Sequence, residues 1–109
     1  MDRQGAVEVE VIPLNTDKPG ASLEFDVSLN THSVNLGMDL ASLSTLTTDT
    51  GLSVQGSKWD APRGGHHVEG MLSFPAAVNG ESILKGAKKL TLTIINVDAP
   101  QRTFTWELP

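Results

Sequence analysis

Polar and apolar residues alternate one by one along much of this chain, which is the period of strands with one buried face. The clearest run is 22–30. Leu23, Phe25, Val27 and Leu29 take one side, and Glu24, Asp26, Ser28 and Asn30 the other. Residues 7–14 repeat the pattern, with Val7, Val9 and Val11 against Glu8 and Glu10. Pro13 has no N–H to donate, so this strand ends there or lies at an edge. A turn over 15–21, centred on Pro19-Gly20, joins the two strands.

The alternation breaks over 31–43, where Gly37 interrupts it and Asp39 is placed to cap a short helical turn over Leu40–Leu43. Thr45–Thr48 is extended again. Asp49-Thr50-Gly51 supplies a hairpin turn, and Leu52–Ser57 returns as its partner, with Leu52 and Val54 on one face. A connection over Trp59–Gly65 follows. Then Val68, Gly70, Leu72 and Phe74 oppose His67, Glu69, Met71 and Ser73 until Pro75 stops the strand. Residues 76–87 are loop with one apolar anchor at Ile83-Leu84. Lys89–Val97 is rich in β-branched residues, with Leu90, Leu92 and Ile94 inward. After the Asp98–Gln101 connection, Arg102–Leu108 directs Phe104, Trp106 and Leu108 inward.

About seven short strands with turns at close intervals and almost no helix predict an all-β fold. The expected form is an antiparallel two-sheet immunoglobulin-like sandwich. The predicted core holds Val9, Val11, Phe25, Val27, Leu29, Leu72, Phe74, Leu92, Ile94, Phe104 and Trp106. Continuous βαβ alternation is missing, which excludes a doubly wound nucleotide-binding fold.

Composition narrows the partners. The 109 residues suit one domain, 1–109, with 1–5 as a flexible start. With three Phe, two Trp and no Tyr, the core must be mostly Val, Leu and Ile. A formal net charge of −5, with scattered Lys and Arg, argues against nucleic acid or an anionic membrane surface as partner. No apolar run reaches the ~20 residues of a membrane-spanning helix. The absence of Cys removes disulfides, thiolate metal sites and Cys nucleophiles.

Unusual side chains crowd into one stretch, Lys58–Pro75, which carries Trp59, Arg63-Gly64-Gly65 and His66-His67. His32 is the third histidine. His32, His66, His67 and the thioethers of Met71 and Met38 are the candidate soft ligands, suited to copper or zinc. His67 and Met71 lie about 13 Å apart along one strand at ~3.3 Å per residue, so they share an ion only if the backbone bulges. His66 and His67 converge only if Gly64-Gly65 keep His66 out of the ladder. The other reading is structural: the imidazoles bond to loop carbonyls and pin the connection, and Trp59 serves as core or lid. Arg63 with Gly64-Gly65 could also form a backbone nest for an anion. No nucleophile elbow, carboxylate pair or phosphate loop is present, so the expectation is a non-catalytic module.

Thr31-His32-Ser33-Val34-x-Leu36, Trp59 and Gly64-Gly65-His66-His67-x-x-Gly70-x-Leu72-x-Phe74 resemble a small group of bacterial extracytoplasmic β-sandwich domains. The likeness covers roughly residues 7–107 and carries no assigned activity. It implies a periplasmic or extracellular setting and a linked role for His32, His66 and His67. The expected function is therefore a binding or interaction module with a His-based, copper-type site at one rim. The alternative is an interaction domain without metal, whose histidines hold a loop.

Overall fold

The computed structural model describes residues 5–16, 20–33, 36–61 and 65–108. Two antiparallel four-stranded sheets pack face to face. The first contains β1 (Val7–Pro13), β2 (Ser22–Thr31), β5 (Lys58–Asp60) and β6 (His67–Pro75), in the order β1-β2-β6-β5. The second contains β3 (Ser44–Thr48), β4 (Ser53–Gln55), β9 (Lys89–Ile95) and β10 (Gln101–Glu107), in the order β10-β9-β3-β4. A two-stranded hairpin, β7 (Ala77–Val78) with β8 (Glu81–Ser82), stands apart. The order within the sheets is that of an immunoglobulin sandwich, with β4 in the place of an added strand beside the central one.

The alternation sets the faces as expected. Leu23, Phe25, Val27 and Leu29 are buried on β2, and Val7, Val9 and Val11 on β1. Phe25 ties the layers together. Its ring lies edge-on to Phe74 of its own sheet at 5.7 Å and stacks on Trp106 of the opposite sheet at 5.3 Å. Asp39 caps α1 (Leu40–Leu43) by accepting from Ala41 N, as the sequence predicts.

Several expectations change. Trp59 does not begin a loop: Lys58–Asp60 is a strand, paired Trp59↔Leu72, and its indole is buried. The chain leaves the second sheet after Gln55 and joins the first at Lys58, so the expected strand over Leu52–Ser57 is only three residues long. Leu52 lies before it and is 40% exposed. Gly56 makes the crossing possible. A Cβ there would meet Ala41 O at 2.6 Å, so α1 and the crossing chain could not lie as close as they do. Phe104 and Trp106 face inward but are only half-buried, because β10 is an edge strand. Residues 76–87 hold the β7–β8 hairpin, and Ile83 anchors it in the core.

Arg102 shares the inward face of β10 and has no solvent exposure. Its Nε and NH2 donate to Val97 O at 3.1 and 2.7 Å, and NH1 donates to Val7 O at 2.9 Å. One guanidinium thus fastens the start of β1 to the β9–β10 connection. Asp98 adds to this join, its carboxylate accepting from Ala6 N at 2.6 Å.

Candidate functional site

The fold carries His32, His66 and His67 to one end of the first sheet, where they line a single cleft of about 290 Å³ with Ala6, Glu8, Asn30 and Thr31. The register explains the meeting. Glu8 pairs with Asn30, and Asn30 with His67, so residues from β1, β2 and β6 form one cross-strand row. All three belong to the outward phase of their strands. His66 directly precedes β6, and its main chain continues the β2–β6 register opposite Thr31; both adjacent histidines nevertheless line the cleft.

Main-chain groups hold the segment. Thr31 N donates to His66 O at 2.9 Å, and Leu36 N donates to Gly65 O at 3.0 Å. Gly65 takes φ +91°, in the left-handed region that favours glycine. The hydroxyl of Thr31 donates to Ala6 O at 2.7 Å, tying β1 to the end of β2 and fixing the Glu8 wall of the cleft. Arg102 holds that same strand start from beneath, through Val7 O. All three histidines are exposed.

Met71 does not join them. It lies in a separate depression of about 410 Å³ with Leu14, Asp26, Asp60, Glu69 and Gly70. No bulge interrupts the register between His67↔Asn30 and Met71↔Asp26, so the strand stays straight and keeps thioether and imidazole apart. Met38 is half-buried and packs against the core. Trp59 is a core residue of β5. Arg63 and Gly64, offered above as parts of an anion nest, lie outside the described residues. Among the described residues, no group of three His, Cys, Asp or Glu stands ready to hold a metal ion.

Glu8, Asn30 and Thr31 are cleft residues that the sequence reading did not single out. The alternation places Glu8 and Asn30 on outward faces, but only the pairing register sets them beside His67. Comparison with protein-family models, with curated proteins and with solved structures gives no match to this chain.

Proposed function

We propose that the domain is a non-catalytic binding module whose working surface is the cleft around His32, His66 and His67, and that it takes a copper- or zinc-class ion there. The reading rests on one observation. Three exposed histidines and Glu8, from three segments of the chain, line one cleft, while the loop is held by main-chain bonds. Imidazole suits these ions, and two rings with water or a partner's ligand complete a coordination sphere without a preformed three-residue cage. The resemblance in the histidine motifs supports an extracytoplasmic setting.

Titration with Cu(II) and Zn(II), followed by NMR of the histidine rings, tests the reading. The expected result is perturbation of at least two of the three rings, with His32→Ala and His67→Ala each weakening binding by roughly tenfold or more. Binding should also weaken on acidification, because a protonated imidazole has no lone pair for metal. Rings that stay unperturbed by either ion would overturn the metal assignment. The second reading is a metal-free interaction domain whose histidine segment is pinned by main-chain bonds from Thr31 N to His66 O and from Leu36 N to Gly65 O. It predicts that a chelator leaves partner binding unchanged.

A further inference from the structure

We propose that β10 is a self-pairing edge, through which two copies of this chain join their second sheets into one continuous eight-stranded sheet. This inference is independent of the histidine cleft and rests on four features of the edge.

The first is its length and lack of protection. Exposed edges are normally blunted by proline, lysine, bulges or shortness. The β4 and β5 edges are three residues each, and β1 ends at Pro13. By contrast, β10 runs seven residues, Gln101–Glu107, without proline, lysine or a break in its register with β9.

The second is the phase of its main chain. Leu108 N donates to Lys88 O at 2.8 Å and Asn96 N to Pro100 O at 3.4 Å. In an antiparallel ladder the hydrogen-bonded pairs recur at every second residue. Even-numbered residues of β10 therefore bond to β9, and Thr103, Thr105 and Glu107 turn their main-chain groups outward. Among the described residues no strand pairs with that side.

The third is self-complementarity. Thr103-Phe104-Thr105-Trp106-Glu107 alternates polar and aromatic symmetrically about Thr105. A two-fold axis at Thr105 sets Thr105 against its own copy, Thr103 against Glu107, and Phe104 against Trp106. The aromatic pairs fall at non-hydrogen-bonded positions, where side chains approach most closely. Phe104 and Trp106 are half-buried, whereas Leu90, Leu92 and Ile94 of neighbouring β9 are fully buried. A second β10 would cover the exposed remainder.

The fourth is charge. Glu8 and Glu10 flank the β1 edge, and with a net charge of −5 two copies meeting there would oppose carboxylates. The outward residues at the centre of β9 and β10 are Thr91, Thr93, Thr103 and Thr105, with Lys89 beside Glu107 at one end and Ile95 beside Gln101 at the other, and the proposed register sets Glu107 against a threonine.

Sedimentation equilibrium of the full chain across the micromolar-to-millimolar range tests the proposal. The mass should rise from 11.6 kDa towards twice that value. Thr105→Lys puts two cations on the axis. Thr105→Pro removes an outward N–H while sparing the β9 ladder. Each should weaken dimerisation by roughly tenfold or more, with an unchanged far-UV circular dichroism spectrum. If the proline variant loses that spectrum, the lysine variant carries the test. In the unmodified chain, amide exchange at Thr103, Thr105 and Glu107 should slow as concentration rises. A single-chain mass throughout would overturn the proposal. So would a dimer indifferent to Thr105→Lys with no concentration-dependent protection at these amides.

Discussion

A guanidinium shut away from water needs acceptors from the protein, and Arg102 finds them at Val7 O and Val97 O. Replacing it by methionine removes the buried charge, which lowers a desolvation cost. The carbonyls remain, however, and an unsatisfied buried acceptor costs about 1–3 kcal/mol. The second effect wins because the substitution deletes only one side of each bond. Arg102→Met should therefore destabilise the domain by about 2–4 kcal/mol in urea denaturation. Facing decides the cost on β2. Phe25→Ala should lose about 3–5 kcal/mol, because the ring packs on Phe74 and Trp106. Glu24→Ala, on the outward face, should stay within about 0.5 kcal/mol. Equal costs for the two would contradict the observed facing. At the β3–β4 turn, the main-chain N–H of Lys88 donates to Asp49 and is the first cause holding its carboxyl below the ordinary 3.8. A lowered pKa in the fold gives stability that is present above 3.8 and lost as pH falls through the folded value. The stability difference between the parent and Asp49→Asn should shrink as the solution is acidified through that range.

The elements depend on where the chain can change sheets. Gly56 does this between β4 and β5, its N–H donating to Ser44 O at 3.1 Å. A methyl group there would press on the Ala41 main chain, so Gly56→Ala should cost about 1–3 kcal/mol. The loss should be read as a lower thermal midpoint with an unchanged β spectrum. Gly70 allows a different close approach, within the first sheet between β6 and the end of β5, where a Cβ would meet Ala61 Cβ. The alternation marks Gly70 as inward, but the close approach of Ala61 exists only because β5 pairs with β6. The strand over 58–60 is hard to read for the same reason. Lys58-Trp59-Asp60 is one alternation cycle, too short for a period to stand out beside Pro62 and Gly64-Gly65.

At the scale of the whole molecule, charge is unevenly spread. The outward face of the first sheet carries Glu8, Glu10, Glu24, Asp26, Asp60 and Glu69, with Lys58 as the cation among them. Like charges facing one another across a sheet repel, and salt screens them with a Debye length of about 10 Å at 0.1 M. The thermal midpoint should therefore rise with added sodium chloride. Asp26→Asn, in the middle of that face between Ile12 and Met71, should raise it at low salt and matter less at high salt. A midpoint that falls with salt would show that attractive pairs dominate the surface instead.

The sequence by itself determined the fold class, the inward faces of the long strands, the Asp39 cap and the candidacy of the histidines. These are local properties, written in a period of two and in residue chemistry. Tertiary structure decided the partners of each face. His32 and His67 lie 35 residues apart in number, and it is the β2–β6 register that brings them into one cleft and separates them from Met71, while the β1–β2 register adds Glu8. The same holds for Arg102. Its phase with Phe104 and Trp106 marks it as inward, yet only the packing of β1 against the β9–β10 connection supplies the carbonyls that let a charge remain there. Alternation says which way a side chain points. What it points at depends on pairing between distant segments, which no single stretch of chain encodes.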